Sequence, residues 1–264
     1  MAVTRPYRRI IRQFADGDYA EGGRWMYIRH PKYATDPAHF IRSFLMIQRD
    51  LQSLLDFIEP ADTNLQTYSF RIHQLLMATC MEIEANFKAI FFDNGCDLGS
   101  KGNIKTYEQV GKSHQLSGYE IKLPLWRERT MILRPFRNWP NAIGKGPSWY
   151  QAYNNLKHNR HENFAQANLE NLLNAIAGLA ILLTAQFQHE AFSSGPDFLS
   201  ISLEADTGGF ESCIGDYFTV RYPTDWPENE RYDFDWRQFK SEKDPFVNYP
   251  YRGLEKRCHQ KKET

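Results

Sequence analysis

The sequence predicts a mainly α protein, a four- to five-helix bundle that carries a small β-hairpin and an irregular C-terminal extension. Two observations favour this class. Apolar residues recur at helical spacing over three long segments, as expected of amphipathic helices around a shared core. Alternation of the kind seen in strands begins only after residue 190.

The chain has 264 residues, which is enough for one large domain or for a domain with an appendage. We interpret residues 1–34 as an N-terminal arm, 35–190 as the helical bundle, 191–252 as a small β and irregular extension packed on the bundle, and 253–264 as a charged tail. Arginines are frequent at the start of the arm, but no apolar stretch follows them. We therefore expect a solvated segment and not a targeting signal.

The first helix is predicted to begin at Pro37. Asp36 and Pro37 form a helix-start pair, because a carboxylate at the N-cap accepts a backbone N–H and proline fits the first helical position. Apolar residues then recur at helical spacing until Pro60 ends the pattern. They are Phe40, Phe44, Ile47, Leu51, Leu54, Leu55 and Ile58.

A second helix is predicted from about Thr63 to Phe92, where Asn94-Gly95 ends it. Because few residues join them, we expect the first two helices to form an antiparallel hairpin. Residues 93–148 look irregular, with one short helix expected within Leu116–Arg134.

The third strong helix is predicted from about Asn163 to Gln188 and is the most apolar in the chain. Its apolar run, Ala175–Ala185, is about half the roughly 20 residues that a membrane-spanning helix needs. We therefore predict a buried core helix and no membrane partner.

The pattern after residue 190 predicts the β element. Phe198–Leu203 alternates with a period of two, Tyr217–Tyr222 is β-branched and aromatic, and Asp206–Gly209 supplies turn residues between them. Beyond Pro223 the chain is rich in aromatic residues, and we expect it to wrap the bundle as irregular structure.

Composition limits the classes of function. Lys plus Arg equals Asp plus Glu, 32 each, so no global field draws the protein to nucleic acid or membrane, and a basic patch would have to be local. The four cysteines form no CxxC pair and no signal peptide is evident, which predicts a cytoplasmic protein with free thiols. No Walker A, GxGxxG, GxSxG or HExxH motif occurs, so we predict no metal and no cofactor.

A dense polar cluster, Asn154, Lys157, His158 and Arg160, stands directly before the most apolar helix. Extrapolating the helical phase backwards, at about 3.6 residues per turn, places Asn154 and His158 on the inward face of a helix that starts near Trp149. An imidazole ringed by cations could bind a phosphate or transfer a proton near neutral pH. The alternative is architectural, with both side chains hydrogen-bonded to a neighbouring helix.

The segment Tyr153-Asn-Asn-Leu-Lys-His158 resembles the Arg-Asn-x-x-x-His motif of the HEPN superfamily, compact helical domains of RNases, phage-defence and toxin–antitoxin systems. The resemblance covers roughly residues 37–189. It implies a HEPN-like bundle whose motif starts a late core helix, often at a dimer interface, and whose Arg and His cleave RNA without a metal. Asn154 and His158 match the motif, whereas Tyr153 stands in place of the catalytic Arg.

This departure predicts weak or absent nuclease activity, because a tyrosine cannot supply a fixed positive charge to a developing phosphorane. Lys157 or Arg160 would have to substitute. On the second helix, Arg71 and Glu82 fall on one edge of the apolar stripe and Asn86 falls within it. They could complete a site with His158. The alternative for Arg71 and Glu82 is a partly buried ion pair.

Our leading hypothesis is a HEPN-like protein of bacterial defence or stress systems that engages RNA or a nucleotide. His158, Asn154 and Tyr153 would form the catalytic motif, while Lys157, Arg160 and Arg71 would contact phosphates. Any cleavage would be metal-independent transesterification. The alternative is a catalytically inactive helical module, antitoxin-like or effector-associated, that binds a protein partner. The resemblance also implies a homodimer.

Overall fold

The computed structural model describes residues 2–17, 24–99, 102–141, 144–188, 208–252 and 254. The predicted class, mainly α with a small β element, is confirmed. The α-helices are α1 (Pro37–Leu55), α2 (Phe70–Asp93), α3 (Ile104–Ser113), α4 (Ser148–Asn163), α5 (Leu169–Phe187) and α6 (Trp236–Phe239). The strands are β1 (Glu120–Leu123), β2 (Met131–Leu133), β3 (Glu211–Ser212) and β4 (Thr219–Arg221).

Helix α5 is the centre of the core. Every residue from Ala175 to Phe187 is buried, and the helix packs against α1, α2 and α4. By length and composition it is the one described helix that could cross a membrane, yet 83% of the apolar window is buried inside the protein. The prediction of a buried core helix is therefore confirmed.

Helix α1 begins at Pro37 as predicted, but Asp36 does not cap it. Asp36 has a left-handed backbone (φ 44°), and its side chain accepts no N–H of the helix. Helix α2 begins later than the predicted Thr63, because a short 3₁₀ turn occupies Asp62–Asn64 and Ser69 provides the cap. The Ser69 hydroxyl accepts the N–H of Ile72 at 3.1 Å.

The segment 93–148 is more regular than predicted. It contains α3, and Leu116–Arg134 holds a 3₁₀ turn and two strands where a short helix was predicted. The sheet has the antiparallel order β2-β1-β4-β3, with Ile121 facing Leu133 on one side and Val220 on the other. Strand β4 lies within the predicted strand at 217–222, whereas its predicted partner, 198–203, lies outside the described residues.

The prediction of a solvated N-terminal arm is wrong for its described part. Ile10 and Ile11 are in the core, and Arg12 is also buried. The guanidinium of Arg12 lies 4.9–5.5 Å from the ring centroids of three aromatic residues. These cation–π contacts offset part of the free energy that it costs to bury the charge. The rings belong to Tyr7, Trp226 and Tyr249.

The described part of the C-terminal extension pairs with the arm. Val3 and Phe14 both form parallel bridges with Tyr232, whose hydroxyl donates to the carbonyl of Ile10 at 2.9 Å. Cys80 and Cys213 are buried free thiols, as expected, whereas Cys96 is disulfide-bonded. The charged tail lies outside the described residues except for Leu254, which is buried.

Candidate functional site

The six residues predicted from the sequence do not share one pocket. Tyr153 is buried and Asn154 half-buried, whereas the other four side chains are exposed: Lys157, His158, Arg160 and Arg71. The prediction that His158 faces inward is wrong. The prediction assumed that α4 continues the helical phase of α5, and the structure shows that it does not.

The phase is lost because α4 and α5 are separated by a kink and a turn. Asn159 has non-helical dihedral angles (φ −146°, ψ 71°), and a 3₁₀ turn follows at Phe164–Gln166. Helix α5 then starts afresh after Asn168, whose side chain accepts the N–H of Asn171 at 3.0 Å. A helical face counted on α5 therefore does not transfer to α4.

The asparagines of this segment hold the kink. Asn163 donates to the carbonyl of Asn159 at 2.8 Å, and Asn159 donates to Glu162 at 2.5 Å. Gln166 accepts from Asn155 at 3.0 Å and donates to Asn163 at 2.9 Å. Side-chain hydrogen bonds of this kind stabilise breaks in a helix, so part of the polar cluster is architectural.

Tyr153, at the motif position of the catalytic Arg, belongs to the core. Its hydroxyl accepts from the ammonium of Lys157 at 3.4 Å, and its ring lies 5.5 Å from that of Tyr150. Tyr150 donates to the carboxylate of Glu84 on α2 at 2.7 Å. Burial, and then the negative charge of Glu84, raise the pKa of Tyr153, which is therefore a neutral phenol at physiological pH.

Beside the kink lies a surface that the sequence analysis missed. We call it the aromatic platform, and it consists of Tyr68, Phe70, His73 and Phe164. The ring of Phe164 lies 4.6 Å from Phe70, 5.8 Å from Tyr68 and 6.1 Å from His73. Tyr68 is 52% exposed and Phe70 is 62% exposed, so the platform faces solvent.

Backbone contacts hold the platform together. The N–H of Leu169 donates to the carbonyl of Thr67 at 2.9 Å, and Tyr68 forms an isolated bridge with Asn168. These contacts bring the start of α2 against the start of α5 and place Phe164 over Phe70. Both helices begin here, and the positive ends of their dipoles favour a nearby anion.

One cation, Arg160, contacts the platform. The guanidinium of Arg160 lies 5.8 Å from the ring centroid of Phe70, within cation–π range. Partial burial, and then the charge of Arg160, lower the pKa of His73. Arg71 pairs with Asp50 at 3.1 Å and not with Glu82, and both side chains of this pair are about half exposed.

Asn86, the third residue proposed on α2, lies away from His158 in a buried network. It donates to the carbonyl of Glu82 at 3.0 Å and accepts from Gln186 at 3.2 Å. Gln186 in turn accepts from the guanidinium of Arg9 at 3.0 Å. Arg9 is fully buried and pairs with Asp93, and it also donates to the carbonyl of Thr35.

His114 continues this network below the arm. Its Nε2 lies 2.8 Å from the carbonyl of Arg9 and its Nδ1 lies 3.2 Å from the carbonyl of Val110, and the shorter contact favours the tautomer with the proton on Nε2. Nδ1 can then accept from the hydroxyl of Ser113 at 2.9 Å. Burial lowers the pKa of His114 to about 4, so the imidazole is neutral at physiological pH.

The two polar regions therefore differ in access. The side chains of Arg9, Asp93 and His114 are buried and have partners, whereas the platform and Arg160 are exposed and can meet a ligand. Within the described ranges, no group of three or more His, Cys, Asp or Glu is arranged to hold a metal ion.

One signal in the sequence could have located the platform. Ile72, Leu75 and Leu76 mark the buried face of α2, and Phe70 lies two residues before Ile72, roughly 200° around the helix. An aromatic residue opposite the apolar face is expected to be exposed.

Family models, curated proteins and solved structures contain no match to this chain, so the resemblance to HEPN domains stays a prediction.

Proposed function

We propose that this protein binds single-stranded RNA on the aromatic platform. The observation that supports the proposal most is the position of Phe70, whose exposed ring packs against Phe164 and lies under the guanidinium of Arg160. Exposed rings beside cations are the usual platform for unpaired bases, because every base has a face that stacks and a phosphate nearby.

The surrounding charge supports the same ligand. The cations Lys157 and Arg160 are exposed together near the C-terminal end of α4, and the side chains of His158 and His161 are exposed beside them. The overall charge is zero, so this local group of cations is the kind of patch that the composition requires. The starts of α2 and α5 add positive helix ends beside it.

Binding can be tested by fluorescence anisotropy with a short unstructured RNA labelled at one end. Phe70→Ala is expected to weaken binding by about 5- to 150-fold, because stacking on one ring contributes about 1–3 kcal/mol per base. Phe57→Ala is the matched control, since Phe57 is 88% exposed and follows the end of α1. Equal affinities for the two variants would overturn the proposal.

Cleavage is a separate expectation that follows from the resemblance. In that reaction the 2′-hydroxyl attacks the adjacent phosphate, the bond from phosphorus to the 5′ oxygen breaks, and His158 transfers the proton. Exposure of His158 and burial of Tyr153 weaken this expectation. RNA incubated in EDTA with wild type, His158→Ala and His161→Ala tests it, since only a loss specific to His158→Ala supports cleavage.

A second candidate function is a protein-interaction module, with a homodimer as its simplest form. Phe70, Met77 and Met81 recur at spacings of seven and four residues on α2, and Phe70 and Met81 are 62% and 61% exposed. Such a stripe is typical of a helix that packs on a partner helix. Sedimentation velocity of wild type and Met81→Glu tests this function, because a dimer held by the stripe is lost in the variant.

A further inference from the structure

A second candidate binding site lies at the other end of α2. It is a cavity of about 400 Å³ between the start of α1, the last turn of α2 and the segment that follows α2. This volume lies in the range of small-molecule sites, which is about 300–1,000 Å³. The cavity is separate from the aromatic platform and from the cations of α4.

The lining of this cavity is mostly apolar. Phe40 and Phe92 contribute aromatic rings, and Ala89 and Leu98 contribute aliphatic surface. The Phe92 side chain is 58% exposed, although it belongs to a well-packed helix. An exposed aromatic side chain at a cavity is available to contact a ligand without disturbing the core.

The charged groups of the lining leave a negative balance. Arg9 and Asp93 neutralise each other, which leaves Asp36, Asp97 and Lys88 as the charged groups around the cavity, together with the imidazole of His39. In the part of the chain that the structure describes, none of these three forms an ion pair. When the imidazole of His39 is neutral, two carboxylates and one ammonium give the site one net negative charge.

Both carboxylates are held close to the cavity. Asp97 accepts the N–H of Gly99 at 2.9 Å, which fixes its side chain in a tight turn. Asp36 has a strained left-handed backbone, and its carboxylate does not cap α1. A cap would have satisfied this carboxylate locally, so its acceptor capacity remains for a ligand or for water.

We propose that this cavity binds a small organic monocation, a primary amine on an aromatic body. One positive charge balances the lining, and the ammonium donates to the carboxylates of Asp36 and Asp97. The aromatic body packs against Phe40 and Phe92, where apolar burial and cation–π attraction add to the affinity. An anionic ligand would meet two carboxylates and only one lysine.

Isothermal titration calorimetry tests this assignment with three probes that share one ring: 2-phenylethylamine, 2-phenylethanol and phenylacetate. The amine is expected to bind at least about tenfold more tightly than the alcohol, because only the amine forms charged hydrogen bonds. Phenylacetate is expected to bind most weakly. An alcohol or carboxylate as tight as the amine would overturn the proposal, as would no saturable amine binding at millimolar concentrations.

Two variants locate the site and separate it from the RNA surface. Asp97→Asn and Phe92→Ala are each expected to weaken amine binding by about tenfold. Asp97→Asn keeps an oxygen for the N–H of Gly99, so the turn is preserved. Phe70→Ala is the control and should leave amine binding unchanged. If Phe70→Ala weakens amine binding as much as Phe92→Ala does, the cavity is not the site.

Discussion

The two ends of α2 carry similar side chains in opposite surroundings. At its start, Arg71 and His73 stand at the surface beside exposed rings, and Arg71 pairs with a half-exposed carboxylate. At its end, Asp93 holds the buried guanidinium of Arg9, and His114 lies sealed beneath the backbone of Arg9. The groups at the start of α2 are accessible to solvent and to a ligand. At the end of α2, the loss of one partner would leave a buried polar group unpaired, which lowers the free energy of unfolding.

The difference shows that residue type does not decide whether a polar group serves binding or architecture. The groups at the end of α2 come from distant parts of the chain and satisfy one another, so they specify how the arm, α2 and α5 fit together. The groups at the start of α2 and the end of α4 have fewer mutual contacts. The groups at the start of α2 are therefore open to a ligand, whereas at the end of α2 a ligand can enter only the cavity beside the buried network.

The largest expected effect is on the buried ion pair. Asp93→Ala leaves the guanidinium of Arg9 buried without its counter-charge, which is expected to lower the free energy of unfolding by about 3–5 kcal/mol. Urea denaturation followed by circular dichroism measures this loss. Asp50→Ala removes the exposed partner of Arg71 and should change the free energy of unfolding by less than about 1 kcal/mol.

A double variant sharpens the same prediction. Arg9→Met combined with Asp93→Leu removes both charges, so its loss should be smaller than that of Asp93→Ala alone. If Asp93→Ala is no more destabilising than Asp50→Ala, the contrast between the two ends of α2 does not hold.

The next effect is on the pH dependence of stability. The folded-state pKa of His114 is about 4, below its ordinary value, so between these values the unfolded chain binds a proton that the folded protein excludes. Stability is therefore fully present above about pH 6.5 and decreases as the pH falls to about 4, by about 3 kcal/mol for this group.

His114→Gln tests that assignment, because the amide can donate to the carbonyl of Arg9 and accept from Ser113 without titrating. Urea denaturation at several pH values should give a flatter profile between pH 4 and 6.5 for the variant than for wild type. The same slope in both proteins would assign the acid sensitivity to other groups.

How much could be predicted depended on whether the signal was local. Helix α5 and the start of α1 follow from apolar spacing and from Pro37, which act within a few residues. The orientation of His158 could not be predicted, because a single non-helical residue, Asn159, changes the helical phase. No periodicity in the sequence could predict the contact between Arg9 and Asp93, because they are 84 positions apart in the chain.

A smaller effect concerns the junction between the start of α2 and the start of α5. Asn168→Ala removes the cap of α5 and a hydrogen bond to Gln66 at 3.0 Å, so the free energy of unfolding should fall by about 1 kcal/mol. Asn174→Ala is the control, because Asn174 is inside α5 and, among the described residues, its side chain bonds only to the carbonyl of Glu170 within the same helix. Equal losses for the two variants would mean that the cap does not stabilise the junction.

The smallest effect concerns Arg160, the exposed cation beside the aromatic platform. If Arg160 contacts a phosphate while Phe70 stacks on a base, Arg160→Ala should lower the slope of log affinity against log salt by about 0.7. Arg237→Ala removes a cation of the same type that is 85% exposed on α6, and its slope should equal that of wild type. Because Phe70→Ala removes stacking and no charge, it should weaken RNA binding with the slope unchanged. A slope that falls equally in both arginine variants would indicate attraction by overall charge and no defined phosphate contact at the platform.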